Sequence, residues 1–445
     1  MPGAAVNIIV MSIFADHFKP QPWWWEDAPL HEPEDAWADH ADVVVVGSGY
    51  AGLSCAIELA RSGVDVLVLD ALAIGGGASS RAAGFTSGRA GVSKQINLKA
   101  MVGPSRAAAI LDEADAAHDH LQAFIASEDI DCDFTCNGRF VGAHTPLAYD
   151  AIAFKMEEYN QGGRTDFEMV PPSAQGKYVN SDFYRGGMMI HNAGSINPAK
   201  YHAGLVQVAR KAGVRLIGHT RVAAVSPLSG GKFIVRTSRG DITAREVMIG
   251  TNGYTDKAAP FHRRRIIPMS STIIATEKLG RDAVAEILPA GVPVIDTKRV
   301  ISFIRTTPDG ERILFGGRAR FTPVSPRRSV EILHQTMRSI FPQLAAAKIT
   351  HSWSGLMGVS FDFLPKLGAH QGVHYALACN GGSGIVMMSW LGRKAARNIL
   401  GQTNSPSNFE GLPYRSHPLY AGLPWFVPIV GTWYRFCDWM DLRRV

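Results

Sequence analysis

Apolar residues along this chain fall into short unbroken blocks, stretches of helical spacing, and segments cut repeatedly by glycine and proline. The first block, Asp42 to Val46, is rich in valine and runs into Gly47-Ser48-Gly49-Tyr50-Ala51-Gly52. A valine run bounded by glycine reads as a strand buried on both faces. From Leu53 to Arg61 apolar residues recur at helical spacing, Gly63 ends that helix, and Val64 to Leu69 forms the next buried strand. The order is strand, glycine turn, helix, strand.

Residues 104–127 are rich in alanine and leucine with acids on the other face, and read as a long helix outside this unit. Strands are expected at Arg139 to Ala143, Gly187 to Ile190, Met269 to Thr276, Ile301 to Arg305 and Ile313 to Gly316, forming a second domain. Between its halves the character of the first domain returns. Tyr201 to Lys211 is helical, while Arg215 to Ile217, Arg221 to Val225 and Glu246 to Gly250 are strand-like. Tyr375 to Gly401 then repeats strand, glycine turn and helix.

The expected fold class is α/β: a Rossmann-like dinucleotide domain interleaved with an α+β substrate domain built on a large mixed or antiparallel sheet. The expected division is an N-terminal arm (1–36), a nucleotide domain (37–100, 194–266 and 350–402), a second domain (101–193 and 267–349) and an aromatic tail (403–445).

A length of 445 residues favours two domains over one. A hydrophobic share of 46% against 19% charged excludes extensive disorder. The net charge of +6 is spread along the chain, with no basic tract of the kind nucleic acid requires. The five cysteines are an odd set without a second ligand pair, so free thiols are expected and no metal site. The N-terminus lacks the basic region and cleavage site of a secretory signal, and Met11 is an alternative start. No run reaches the roughly 18 apolar residues of a spanning helix, so a cytoplasmic location is expected.

The glycine turn carries chemistry because of its context. Gly47 permits the tight turn, Gly49 lets backbone approach a pyrophosphate, and Gly52 allows helix to pack on strand, with Tyr50 and Ala51 opening the helix whose positive end receives phosphate. Asp70 ends the second strand, where its carboxylate accepts ribose hydroxyls and repels a 2′-phosphate. NADP is disfavoured; FAD and NAD both satisfy the turn.

The next segment, Gly75 to Phe85 (GGGASSRAAGF), resembles the glycine-rich flavin loop of the D-amino-acid oxidase-like superfamily, departing from it at Ser80, Ala82 and Ala83. That resemblance selects FAD and implies contacts from Ala78, Ser79, Ser80, Arg81, Gly84 and Phe85. GSINPAKYHAGLVQVARKAGV from Gly194 is similar to the family's helix entry, and Thr220-Arg221-Val222 to its adenine-facing strand. GTNGYTD, with Thr251 and Gly253, resembles a further strand end. The run Ala376 to Gly401 looks like the closing flavin motif, implying that Gly381, Gly382, Ser383 and Gly384 face the pyrimidine end of the ring. Within the superfamily, Pro22 to Pro29 (PWWWEDAP), Ile273 to Leu279 and Ile301 to Phe321 resemble the gamma-glutamylputrescine oxidase group.

The resemblance implies oxidation of a carbon–nitrogen bond: a neutral amine or amino acid gives hydride to flavin N5, and the imine hydrolyses. An N-substituted amine such as a gamma-glutamylated polyamine is the preferred class. The segments the family sets over the flavin supply Tyr184, Arg185, His191, Arg305, His351, Trp353 and Asp362. Arg305 is a candidate carboxylate clamp, Trp353 an aromatic wall and His351 a proton acceptor. Asp362 with Pro365 reads as a turn. No cysteine lies in HSWSGLMGVSFDFLPKLG, so noncovalent FAD is expected.

GERILFGGRAR lacks the lysine that the sarcosine-oxidase group keeps for oxygen, leaving oxygen and quinone both open as acceptor. A quinone-linked dehydrogenase of an opine or hydroxy acid is the alternative enzyme, and a non-catalytic FAD-binding partner protein the alternative outside catalysis. The tail from Ala421 is expected to dock on the protein itself rather than a membrane, because two prolines interrupt it.

Overall fold

The computed structural model describes residues 12–30, 35–92, 97–160, 166–318, 325–379, 384–402 and 404–443. Five strands, Arg215–Ile217, Val66–Leu69, His40–Val46, Asp241–Ile249 and Val373–Leu377, lie side by side and all parallel. Their apolar runs follow from burial on both faces: Val44, Val45, Leu67, Val68, Met248 and Leu377 expose nothing. Val222–Leu228 and Lys232–Thr237 extend the sheet as an antiparallel hairpin, and Lys366–His370 flanks Val373–Leu377.

Five helices matter for the site: α1 (Tyr50–Arg61), α2 (Pro104–Ser127), α3 (Pro146–Asn160), α4 (Gly384–Ile399) and α5 (Val427–Arg443). Helix α4 lies against α1 so closely that a Cβ on Gly392 would stand 2.2 Å from the Ala51 carbonyl oxygen. Glu58 of α1 receives Arg393 and Arg397 of α4 at 3.3 and 3.1 Å. Helix α2 was expected outside the nucleotide unit. Its residues Ile110, Ala114, Ala117 and Leu121 instead share one core with Val45, Leu53 and Leu391. The indole of Trp390 donates to Glu113 at 2.8 Å. The small alanine face admits a helix neighbour, which spacing alone does not reveal.

Among the described residues the second sheet has nine strands, ordered Phe14–Lys19, Ile349–Ser360, Ile266–Thr276, Ile313–Gly317, Ser302–Thr306, Val294–Asp296, Arg139–Gly142, Gly187–Ile190 and Phe167–Val170. Only the pairings of Phe14–Lys19 with Ile349–Ser360 and of Val294–Asp296 with Arg139–Gly142 are parallel, so the sheet is mixed. Ile349–Ser360 pairs with Ile266–Thr276 along its whole length, which moves residues 350–360 out of the nucleotide domain expected for them. The N-terminal arm is likewise part of the fold: Phe14–Lys19 is an edge strand, and Trp24 beyond it is fully buried.

The end of the tail, Val427–Arg443, forms one uninterrupted helix, α5, because Pro424 precedes it and Pro428 lies in its first turn, where no backbone hydrogen bond is lost. Among the described residues no helix is long and apolar enough to cross a membrane.

Candidate active site

The glycine turn is fixed by contact. Gly47 has φ +101°, a left-handed conformation that favours glycine, and a Cβ on Gly52 would stand 1.9 Å from the Gly47 carbonyl oxygen. No side chain caps α1 at Gly49, and the Tyr50 N–H donates to Ser79 Oγ at 3.2 Å. A neutral oxygen thus occupies the place where the helix start receives an anionic one. Asp70 Oδ2 accepts the Ser48 N–H at 2.9 Å and its hydroxyl at 2.7 Å, and Oδ1 accepts Leu72 N–H at 2.9 Å. Each carboxylate oxygen has two lone pairs, so Asp70 keeps capacity for a ribose hydroxyl while bracing the turn.

The loop after Gly75 is held from the N-terminal side. Trp24 Nε1 donates to Ala82 O at 3.0 Å, Trp25 Nε1 to Ser80 Oγ at 3.0 Å, and Arg81 stacks over Trp25 at 4.6 Å. Ser80 in turn donates to Gly75 O at 2.6 Å. The PWWWEDAP segment thus packs against this loop and holds it in place.

Between the two sheets lies a cavity of about 700 Å³. At one end it is walled by Gly49, Tyr50, Ala51, Ala78 and Ser79, continuing through Arg81 and Ala82 to Phe85. Gly250, Asn252, Gly355, Met357, Cys379 and Gly384 close its sides. Glycine, alanine and an uncapped helix start are what a dinucleotide requires: backbone donors without side chains in the way. Asn252 spans this wall, donating to Cys379 Sγ at 2.8 Å and accepting Ala378 N–H at 3.1 Å. Burial pushes the Cys379 thiol up, so it is held protonated.

The far end is of different character. Val141, Met188, Ile190, Ile273, Ile295, Ile301 and Phe303 form an apolar wall, broken by Arg139, Lys155, Lys298, Arg299 and Arg318. Asp296 is the one acid among its described lining residues. Lys298 meets Asp296 at 3.0 Å, and Arg299 is paired with Asp438 and Asp441 of α5 at 3.2 and 2.5 Å. Arg318 is pushed down to about 10, burial of the guanidinium being the main cause. Arg139 donates to Ser87 Oγ at 3.2 Å.

The residues expected to carry catalysis lie elsewhere. Arg305 is buried and donates through Nη1 to Ala83 O at 2.9 Å and Ile196 O at 3.0 Å, tying the flavin loop to its neighbour. Its fork faces backbone carbonyls, directly behind the part of the cavity wall formed by Ala83 and Gly84. Trp353 packs against Trp24 and donates to Arg81 O at 2.9 Å. His351 is bound by Glu26 at 3.2 Å and Thr350 at 2.9 Å. Tyr184 is buried among Phe140, Tyr178 and Phe341. Arg185 is exposed on its own loop carbonyls, and His191 pairs with Glu168 at 3.0 Å on the surface. Asp362 holds a turn through Lys366 at 2.5 Å and Ser360 at 2.7 Å.

Of the expected cofactor residues, Gly49, Tyr50, Ala51, Ala78, Ser79, Arg81, Gly84, Phe85 and Gly384 line the cavity. Gly47, Gly52, Asp70 and Ser80 stand behind it as supports. Val222 is buried in its strand, Thr251 Oγ1 bonds Thr255 Oγ1 at 2.8 Å, and a Cβ on Gly253 would meet Leu356 O at 2.7 Å. Gly381, Gly382 and Ser383 lie outside the described residues.

Sequence reading missed Arg139, Lys298, Arg299, Arg318 and Tyr434, which four separate stretches of the chain bring together. Arg139 and Arg318 did offer a signal, a charge at the end of an apolar strand run. Replacing Arg305 with methionine is expected to cost about 2–4 kcal/mol of stability, because two buried carbonyls lose a charged donor. Thermal unfolding reads this loss, and the KM of the folded enzyme stays unchanged; a raised KM with full stability would return Arg305 to the substrate site.

The family model for FAD dependent oxidoreductases, DAO, matches residues 42–398. The chain is 29% identical to the Probable oxidoreductase OrdL of Rhizobium meliloti (strain 1021), over 87% of this chain and 91% of that protein. It is 28% identical to the Gamma-glutamylputrescine oxidoreductase of Escherichia coli (strain K12), over 85% and 88%. The fold superposes on the crystal structure of glycine oxidase from Geobacillus kaustophilus with a TM-score of 0.70, at 20% identity, covering 85% of this chain and all of that one. With the dinucleotide cradle in place and four-fifths of the chain matched, this protein belongs to the DAO family of FAD-dependent oxidoreductases, and FAD is its cofactor.

Proposed function

We propose that the enzyme oxidises a carbon–nitrogen bond of an amine or amino acid that carries a carboxylate, with N-substituted amines such as gamma-glutamylated polyamines as the preferred class. The supporting observation is the far end of the cavity, where, among the described residues, five cationic side chains interrupt an apolar wall that holds a single acid. Arg139 and Arg318, which stand on this wall, are assigned to the substrate carboxylate. An anion beside Arg318 offsets the desolvation of its guanidinium.

The same positive field lowers the pKa of a bound ammonium and favours the neutral amine whose lone pair drives oxidation. The site therefore works without a strong base, and His351 has no part in it. Bound FAD supplies the two-electron acceptor. Val141, Ile273, Ile295 and Phe303 exclude water from the reacting carbon, and Tyr434 of α5 closes the outer side. An opine, with two carboxylates on a secondary amine, fits the same field and is the second reading. We place the enzyme in the cytoplasm, where its thiols, all free, stay reduced.

FAD is held without a covalent bond, consistent with a buried, protonated Cys379. Acid precipitation is expected to leave a white pellet and a yellow supernatant; yellow protein in the pellet would overturn this. Substrate class is tested by anaerobic mixing with amines, N-substituted amino acids, opines and hydroxy acids. Bleaching of the flavin by N-substituted amino acids or gamma-glutamylated amines is expected. Bleaching by hydroxy acids alone would sink the proposal. Air then restores the colour of an oxidase at once, whereas a dehydrogenase stays bleached until a quinone is added.

A further inference from the structure

Helix α5 is amphipathic in the wrong sense for a helix facing water. Its inward row is Gly431, Tyr434, Asp438 and Asp441, in which both acids are paired with Arg299, and Asp438 also accepts the backbone N–H groups of Arg299 and Val300 at 3.0 and 2.9 Å. Its outward row is apolar: Ile429 is 65% exposed, Trp433 60%, Phe436 49% and Trp439 45%, with Leu442 beyond. Leu419, Leu423 and Trp425 continue the row N-terminally. Ion pairs and backbone bonds hold this helix on the protein, so its aromatic face remains turned outward instead of being buried.

The charges on that face are of one sign. Between residues 411 and 443 the acids are Asp438 and Asp441 alone, both turned inward, while Arg415 and Arg443 are exposed and Arg435, also exposed, donates to the Arg318 carbonyl at 3.2 Å. Arg443 lies 4.0 Å over the Trp439 ring. Tryptophan and phenylalanine flanked by arginine, with no outward carboxylate, match the boundary between acyl chains and anionic headgroups. A second copy of the chain fits less well, since apposing two such faces brings arginines together with no acid to meet them.

Helix α3 lies at the same end. Its Ala148, Ala151, Ile152 and Lys155 line the cavity, while Leu147 and Phe154 are 74% and 76% exposed. Tyr434 of α5 lines the same cavity. Both helices thus wall the substrate end, but the outer stripe of α3 also carries the exposed acids Asp150 and Glu157, so α5 alone presents an apolar face without outward acids.

We propose that α5 seats the enzyme on the surface of an anionic lipid bilayer with the substrate end of the cavity turned toward the membrane. The test is cosedimentation of the FAD-loaded enzyme with vesicles of phosphatidylcholine alone or mixed with phosphatidylglycerol. Binding to the mixed vesicles is expected, weakened by salt and by omission of the anionic lipid. The triple variant Ile429→Ser, Trp433→Ser, Phe436→Ser is expected to lower partitioning at least about a hundredfold, as three buried apolar side chains are lost. Its flavin absorbance and its turnover of soluble substrate are expected to match the parent. Failure of the parent to bind mixed vesicles, or equal binding by the variant, would overturn the proposal. So would concentration-dependent dimerisation of the parent abolished by the same substitutions, which would make this face an interface between copies.

Discussion

Gly52→Ala is expected to yield a protein without flavin and with its fold compromised. The new Cβ would stand 1.9 Å from Gly47 O and 3.1 Å from Gly47 C, backbone atoms with no rotamer to escape into. Relief requires α1 to lift from the turn, and that motion separates α1 from α4, where Gly392 already touches Ala51 O. Overpacking a core costs about 1–3 kcal/mol where side chains can yield, and more where only backbone can move. The ratio of flavin to protein absorbance is expected to fall to near zero, and thermal unfolding to occur well below the parent. Gly49→Ala is the companion variant. Its Cβ meets only Ser79 Oγ, at 3.0 Å, so the chain is expected to fold near-normally while binding FAD more weakly. A Gly52→Ala protein that stayed yellow and stable would mean the turn is looser than described.

Arg318→Met is expected to lower kcat/KM for carboxylate-bearing amines by a factor of about 30–1000, the equivalent of about 2–4 kcal/mol for a desolvated charge-assisted pair. A neutral amine of the same length, lacking the carboxylate, is expected to lose little. Arg139→Met tests the other cation of the pair in the same way. The discriminating readout is the ratio of the two substrates, since a fold defect lowers both. Equal losses for both substrates would remove Arg318 from carboxylate recognition.

The parts of this molecule legible in its sequence are those set by local sterics. Gly47 and Gly52 are demanded by a turn whose residues are neighbours in the chain, and Val66–Leu69 or Gly187–Ile190 announce themselves by unbroken apolar runs. The substrate end was illegible for a corresponding reason. Arg139, Lys298 and Arg318 lie on or beside three different strands of the nine-stranded sheet, and only sheet order brings them to one wall.

Burial misled in the other direction. Arg305, His351 and Trp353 had the chemistry of a site, yet Ala83, Glu26 and Arg81 hold them as braces for the flavin loop and its edges. For α5 the sequence offered an aromatic tail interrupted by prolines, and neither the helix nor its inward face, because that face is chosen by Arg299, a residue distant in the chain.

Because the strands of the two sheets alternate along the chain, neither domain is a segment that the ribosome can release finished. His40–Val46 pairs with Asp241–Ile249, which in turn pairs with Val373–Leu377, so the dinucleotide sheet is completed only when the last strand has emerged. Ile349–Ser360 closes the other sheet scarcely earlier. Contacts this distant in sequence form slowly and leave apolar strands exposed meanwhile. The dinucleotide cradle, walled in part by Gly355, Met357, Cys379 and Gly384, is therefore complete only after those residues have been made.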